Sequence, residues 1–231
     1  MRIAILVTNT DRSAFAAGFP RDGEKFRTLL QQVRPTWQFS IYELTTGQFP
    51  EQLNGIDGVV ITGSPASVHD PDLWVAQLFV LIRQIVAAGV PLFGGCFGHQ
   101  AIAQALGGQV ERNPAGWSLG RVDSRTQSRW IDAGPLRLYA AHQEHVIRLP
   151  SNARSVGSSE GCPCAAFEIG PKVWTTQYHP ELTDDFFDAF IGHMDGKLPA
   201  RTITQARLSM QGPETDRARM AEAMAGFLEQ G

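Results

Sequence analysis

The amino-acid sequence predicts a three-layer α/β fold in which helices flank a central, mostly parallel sheet. In residues 2–108, apolar strand-like runs alternate with amphipathic helix-like stretches, which is typical of such a sheet. The run DGVVITG (57–63) is almost continuously apolar, as expected for a parallel strand buried on both faces. Between about residues 109 and 179, short strand-like runs follow one another. They predict additional antiparallel strands beside the parallel core.

Predicted strands and helices alternate along the first half of the chain. The strands cover residues 2–8, 38–44, 57–63 and 90–95, and the helices cover 22–33, 70–89 and a stretch after Cys96 that stops at the glycine pair 107–108. We expect Asp70 to be the N-cap of the helix at 70–89 and Pro71 to lie in its first turn, because these residue types favour those positions.

The second half is predicted to contain short strands followed by helices. The strands cover 118–123, 136–142, 145–150, 164–169 and 173–179, a helix covers 184–194, a connector covers 195–205, and an amphipathic helix covers 216–230. The predicted organisation is one domain over residues 1–195, with residues 196–231 forming a connector and an amphipathic helix packed on the same domain.

Composition and charge exclude several classes of protein. The 231 residues are 43% hydrophobic and 19% charged, with a net charge of −3, which does not favour binding to nucleic acid or to an anionic membrane. No apolar run reaches the roughly 18 residues of a spanning helix. Three cysteines, an odd number, do not indicate a disulfide framework. We expect a cytoplasmic protein with no nucleic-acid or membrane partner.

Neither a cofactor nor a metal ion is expected. The sequence contains no G-x-G-x-x-G motif and no P-loop, so a dinucleotide site and an ATP site are both unsupported. Cys162 and Cys164 are separated by a single residue, which is not a zinc-ligand spacing, and there is no second cysteine pair to complete four ligands.

The stretch GGCFGHQ (94–100) is predicted to be a sharp turn between a strand and a helix. A G-x-C-x-G turn is the cysteine form of the nucleophile elbow. Gly94 and Gly98 leave room for the strained backbone that lifts the Cys96 thiol toward a substrate. The helix that begins there favours the thiolate, because its dipole is positive at the N-terminus. Taken alone, the stretch also fits a small buried cysteine in a glycine-rich turn.

The stretch QYHPE (177–181) supplies a candidate base for this cysteine. His179 follows a strand-like run, and the carboxylate of Glu181 can hold its imidazole in one tautomer. By itself, HPE also fits a surface turn. An elbow cysteine, a histidine and a carboxylate together indicate nucleophilic catalysis by a Cys-His-Glu triad.

These two motifs resemble those of the class I (triad-type) glutamine amidotransferases, and they are most similar to the glutaminase domain of GMP synthases and its free-standing homologues. The resemblance runs from Arg2 to about Met194 and includes ITGSPASVHD (61–70), GWSLG (116–120) and HQEHVIRLP (142–150) in family order. It implies a flavodoxin-like fold over residues 1–195. It also implies that Cys96 is the nucleophile, His179 the general base and acid, and Glu181 the residue that orients His179.

The same resemblance implies the residues around the triad. Acyl transfer needs two N–H donors for the developing oxyanion. We expect one to be the backbone N–H of Phe97 and the other to be that of Gly63 or Ser64. The substrate-binding positions of the family correspond to Gln100, Ala141 and His142.

The expected reaction is hydrolysis of the γ-amide of glutamine to glutamate and ammonia through a cysteinyl thioester. The chain ends at Gly231 without an ATP-pyrophosphatase domain, so the ammonia is expected to pass to a separate synthetase or to be released. Two alternatives remain open. One is a stand-alone γ-glutamyl peptidase that acts on γ-glutamyl peptides, and the other is a non-catalytic, amidotransferase-like regulatory subunit. The loop 9–23 is long for this fold, and its role is open.

Overall fold

Eleven strands and seven α-helices form in the computed structural model, which describes residues 1–230. The strands are β1 (Arg2–Val7), β2 (Gln38–Glu43), β3 (Gly58–Ile61), β4 (Leu92–Gly95), β5 (Gln109–Arg112), β6 (Ser118–Thr126), β7 (Gly134–His142), β8 (Glu144–Arg148), β9 (Arg154–Ser159), β10 (Cys162–Ile169) and β11 (Val173–Thr176). The helices are α1 (Ala14–Ala17), α2 (Asp22–Gln31), α3 (Leu73–Ala87), α4 (Phe97–Ala105), α5 (Asp184–Met194), α6 (Ala200–Met210) and α7 (Arg217–Leu228).

Nine of the strands form one mixed sheet in the order β2-β1-β3-β4-β11-β10-β9-β6-β7. The first five strands in this order are parallel, and the remaining neighbours pair antiparallel. β5 and β8 form a separate two-stranded sheet. The predicted fold class is therefore confirmed, because the parallel strands follow the flavodoxin-like order and antiparallel strands are added at one side.

The parallel strands β1, β3 and β4 are buried on both faces, which explains their nearly continuous apolar sequences. Along β1, Ile3 and Ile5 contribute to a core with residues of α2 and α7. Ala4 and Leu6 point to the opposite face, into a core with residues of α3 and α4. Helices therefore cover both sides of the sheet. No helix within residues 1–230 is long and apolar enough to span a bilayer.

The segment 195–205, predicted to be a connector, is instead largely helical, because α6 begins at Ala200. Only Ile203 and Ala206 of this helix are buried, so its apolar pattern is too weak to predict a helix from the sequence. The helix lies close to β6, where Gly120 has a φ of 125° and a side chain would collide with Ser209. α7 buries Met220, Met224, Phe227 and Leu228 in the core with β1.

The predicted start of the helix at 70–89 was wrong. α3 begins at Leu73, its N-cap position is Asp72, and Pro71 precedes the helix. The carboxylate of Asp70 accepts a hydrogen bond from the backbone N–H of Ser67 at 2.9 Å, so it belongs to the preceding turn. The last predicted strand is also shorter than expected, since β11 ends at Thr176.

Candidate active site

Cys96 occupies a sharp turn between β4 and α4. Its φ of 49° and ψ of −105° lie outside the regions that side chains favour, and within residues 1–230 it is the only non-glycine residue with a positive φ. A Cβ at Gly98 would lie 2.6 Å from the backbone oxygen of Ile61, and one at Gly94 would lie 2.7 Å from the backbone of Gly98. Only glycines at these two positions allow α4 to approach both β3 and β4 so closely.

His179 follows β11 and is held from two directions. Its backbone N–H donates to the carbonyl oxygen of Tyr139 on β7 at 2.9 Å. Its Nδ1 lies 2.8 Å from Oε1 of Glu181, whose side chain is 2% exposed. When Nδ1 donates to this carboxylate, Nε2 is left without a hydrogen-bond partner among residues 1–230.

The side chains of Cys96 and His179 converge beside Gly63, which follows β3. A Cβ at Gly63 would lie 2.8 Å from Cε1 of His179 and 3.5 Å from Cβ of Cys96. Burial alone would lower the pKa of His179, but the neighbouring Cys96 and Glu181 outweigh it and hold this pKa well above its ordinary value. The site therefore favours an imidazolium beside the sulfur atom.

The backbone around this pair leaves several N–H groups free to bind an anion. The N–H groups of Phe97, Gly63 and Ser64 donate to no other residue within 1–230. The N–H of Phe97 lies in the first turn of α4, where helix N–H groups have no internal acceptor. Gly63 and Ser64 line the same cavity as Cys96.

Two of the three predicted substrate-binding residues do not line that cavity. Ala141 does, whereas Gln100 and His142 are buried beside it. The side-chain Nε2 of Gln100 donates to the backbone oxygen of Glu144 at 2.8 Å. Nδ1 of His142 lies 3.0 Å from that same oxygen. Burial, above all, lowers the pKa of His142 to about 4, so this ring is neutral at physiological pH.

The cavity has a volume of about 440 Å³ and lies at the carboxyl ends of the parallel strands, where α/β proteins bind their ligands. One end contains Cys96, His179 and Glu181. The other end is formed by the loop 9–23, including α1, and by α5. Four half-buried aromatic side chains line this second end, namely Phe15, Phe19, Phe186 and Phe190.

The charged side chains of the loop are largely paired with protein groups. Asp22 accepts hydrogen bonds from Asn9 at 2.6 Å and Lys25 at 2.8 Å, and Arg21 pairs with Glu43 at 2.7 Å. The aromatic rings pack on one another, with 5.8 Å between the centroids of Phe15 and Phe186. Phe15 and Phe19 of the loop, together with Phe186 and Phe190 of α5, therefore form an aromatic part of the cavity lining. The unusual length of the loop was the only sequence signal for this part of the site.

Known proteins show the same family relationship. Residues 26–191 match the family model described as glutamine amidotransferase class-I. The chain belongs to the class I glutamine amidotransferases. This amidotransferase is 26% identical to gamma-glutamyl peptidase 3 of Arabidopsis thaliana over 83% of each chain. It is 29% identical to a putative glutamine amidotransferase of Saccharomyces cerevisiae over 80% of each chain.

Longer enzymes and solved structures extend the comparison. A GMP synthase of Nitrobacter hamburgensis is 29% identical over 72% of this amidotransferase, which corresponds to 30% of the synthase. The crystal structure of a glutamine amidotransferase from Methylobacillus flagellatus aligns with a TM-score of 0.82 at 23% identity, covering 99% and 94% of the two chains. One from Thermotoga maritima aligns with a TM-score of 0.80 at 20% identity, covering 99% and 98%. These structures support the fold.

The two cysteines outside the elbow belong to β10 of the amidotransferase. Cys162 is buried, and burial raises its pKa to about 12, so it is a neutral thiol. Cys164 is partly buried, and its pKa is also raised by burial. Within residues 1–230, no three or more histidine, cysteine, aspartate or glutamate side chains are grouped so that they could hold a metal ion.

Proposed function

We propose that this amidotransferase hydrolyses γ-glutamyl amides, with Cys96 as the nucleophile, His179 as the general base and acid, and Glu181 as the residue that orients His179. The observation that carries the proposal is the convergence of a strained elbow cysteine and a carboxylate-bound histidine beside Gly63, at one end of a cavity. This arrangement supports nucleophilic catalysis, which needs a nucleophile, a base and a group that orients the base.

The reaction proceeds through two tetrahedral intermediates. The Cys96 thiolate attacks the γ-carbonyl carbon, and the oxyanion accepts hydrogen bonds from Phe97 and from Gly63 or Ser64. The His179 imidazolium gives its proton to the leaving nitrogen, the C–N bond breaks, and a γ-glutamyl thioester remains. His179 then takes a proton from water, which attacks the thioester. The C–S bond breaks, glutamate leaves, and the thiolate and imidazolium are restored.

Membership of the class I glutamine amidotransferases makes glutamine the first candidate substrate. Its leaving group is ammonia, which a separate synthetase would consume. The aromatic end of the cavity favours a second candidate, a γ-glutamyl peptide with an apolar residue after the scissile bond. Ammonia is small and polar and is not stabilised by contact with an aromatic surface, whereas an apolar side chain is stabilised by burial against one. Similarity to gamma-glutamyl peptidase 3 supports the same candidate.

We expect the Phe15→Ala variant to lose activity selectively toward γ-glutamylphenylalanine. Loss of the ring removes apolar contact area worth about 1.5 kcal/mol, or roughly a tenfold fall in kcat/KM. Hydrolysis of glutamine should change little. The measurement is glutamate release from glutamine, γ-glutamylalanine and γ-glutamylphenylalanine, with the Cys96→Ala variant as the blank.

Phe79→Ala provides the matched control, since Phe79 is a half-buried phenylalanine on α3 that does not line the cavity. It should leave the ratio of the two peptide rates unchanged. A wild-type preference for glutamine over both peptides by orders of magnitude would rule out the peptidase. No glutamate from any of the three substrates would count against γ-glutamyl hydrolysis by the chain on its own.

For the Glu181→Gln variant we expect partial activity. A glutamine can still accept the Nδ1–H of His179, but it supplies no negative charge to stabilise the imidazolium, so kcat should fall by roughly 10²–10⁴-fold. The rate should stay above that of Cys96→Ala. Glu168→Gln is the control, because Glu168 is another buried carboxylate, paired with Arg129 and Arg154. Equal losses of kcat in the two variants would contradict an orienting role for Glu181.

A further inference from the structure

Gln177 lies between β11 and His179, and its side chain reaches the sulfur of the elbow cysteine. The residue is completely buried. Its side-chain Nε2 lies 3.7 Å from Sγ of Cys96, within the range of a hydrogen bond to sulfur. We propose that Gln177 is a further catalytic residue, which donates its amide N–H to the Cys96 thiolate, and that Gln100 is the positioning residue that holds Gln177 in this orientation. The proposal rests on the proposed role of Cys96 as the nucleophile.

The hydrogen-bond network determines how the side-chain amides of Gln100 and Gln177 are oriented, and therefore which end of Gln177 faces the sulfur. The backbone oxygen of Glu144 can only accept, so the group of Gln100 that meets it at 2.8 Å must be its Nε2. The same Nε2 donates to Oε1 of Gln177 at 3.2 Å. The Nε2 of Gln177 is therefore the end that points to Cys96. Reversing Gln177 would place two N–H donors face to face and would turn an oxygen toward the thiolate.

The backbone fixes Gln177 relative to Cys96. The backbone N–H of Cys96 donates to the carbonyl oxygen of Thr176, the residue before Gln177, at 2.9 Å. The backbone N–H of Gln177 donates to the carbonyl oxygen of Ala165 on β10 at 2.7 Å. The peptide group that joins Thr176 to Gln177 is therefore anchored at both its carbonyl oxygen and its N–H. The amide is preorganised and need not be ordered during the reaction.

A neutral donor at this position remains available to stabilise the thiolate throughout the cycle, whereas His179 does not. His179 transfers a proton and changes its charge during each cycle, whereas the Gln177 amide keeps its proton and remains a donor. A hydrogen bond to sulfur favours the charged thiolate over the thiol. It therefore stabilises Cys96 before the attack and again when the C–S bond breaks and the thiolate leaves. It carries little advantage while sulfur is bound in the neutral thioester.

The test is the pH profile of Cys96 alkylation by iodoacetamide. The rate at the peptide that contains Cys96 is followed by mass spectrometry, which separates it from Cys162 and Cys164. We expect Gln177→Met to move the pH of half-maximal alkylation upward by roughly 0.5–1 pH unit, because one hydrogen bond to the thiolate is lost. Gln177→Glu should move it further upward, since a carboxylate repels the thiolate. Gln100→Met should cause a smaller shift in the same direction.

Gln104→Met is the matched control, because Gln104 is on α4 but outside this network, and its profile should match that of the wild type. An unchanged profile in folded Gln177→Met overturns the proposal, and folding is checked by near-ultraviolet circular dichroism. If Gln177→Met does not fold, the alkylation profile of Gln100→Met decides, since this change alters no atom in contact with the sulfur. An upward shift in this variant supports the proposal, and an unchanged profile overturns it. An unchanged profile would overturn the role of Gln177 although Cys96 is still alkylated. This outcome is distinct from failure of the proposed function, in which wild-type Cys96 would not react with a γ-glutamyl substrate.

Discussion

Replacing Cys96 with alanine is expected to reduce glutamate release to the background rate, and His179→Ala is expected to do nearly the same. The nucleophile and the base act as one unit, so each single change should lower kcat by roughly 10⁴–10⁶-fold. For the same reason, the double variant should be no slower than either single variant. Initial rates of glutamate release from the best substrate of the three measure the effect.

Cys96→Ser supplies the control for size, since it retains a side chain of similar shape but a much weaker nucleophile, and it should also be inactive. Labelling of the wild type by a glutamine-mimicking electrophile should occur at Cys96 and vanish in Cys96→Ala. A wild-type rate in either the Cys96→Ala or the His179→Ala variant would refute the assigned roles. Absence of labelling at Cys96 would instead favour a non-catalytic regulatory subunit.

Gly63→Ala is expected to lower kcat by roughly 100-fold because it displaces the ring of His179. The added methyl group would lie 2.8 Å from Cε1 of His179, well inside normal carbon contact distance. The ring cannot easily yield, because only 11% of the side chain is exposed and it is bound to Glu181. A displacement of His179 by about 1 Å is enough for such a loss of rate. The overpacking should cost about 1–3 kcal/mol of the free energy of unfolding, too little to unfold a typical domain.

Gly192→Ala is the matched control for this change. Gly192 lies on α5, and a Cβ at this position would meet no atom within 4 Å, so activity should be retained. Unfolding curves of both variants separate a displaced base from a destabilised fold. Full kcat in folded Gly63→Ala would mean that His179 is free to move or does not act at this position.

Much of the parallel half of the fold could be predicted because burial on both faces leaves a strong local signal. The strand at 57–63 and the helix after Cys96 are examples, and both have counterparts in the structure as β3 and α4. The antiparallel half carries weaker signals. β5 buries only Val110, and β9 is rich in small polar residues, so neither strand was predicted. α1 was missed as well, since it is a single turn with no buried residue.

The candidate site likewise contains residues that the local sequence predicts and residues that it does not. Cys96, His179 and Glu181 were assigned from the sequence because a strained turn and an oriented imidazole require particular residues at fixed spacing. Gln177 adjoins the same motif, yet its contact with sulfur depends on Gln100, 77 residues away in the sequence, so no local pattern reveals it. The aromatic end of the cavity likewise arises from two distant segments that meet only in three dimensions.

The hydrogen bond between the backbone of His179 and Tyr139 also bears on how this enzyme would lose activity under stress. β7 is the last strand of the sheet in the order of pairing, yet it contacts the segment that follows β11, so the antiparallel strands must curl back on themselves. The backbone of His179 therefore joins the parallel half of the sheet, through β11, to the antiparallel half, through β7. If the antiparallel half opens before the parallel half, His179 loses this anchor while the elbow is still intact. Heat inactivation would then precede global melting.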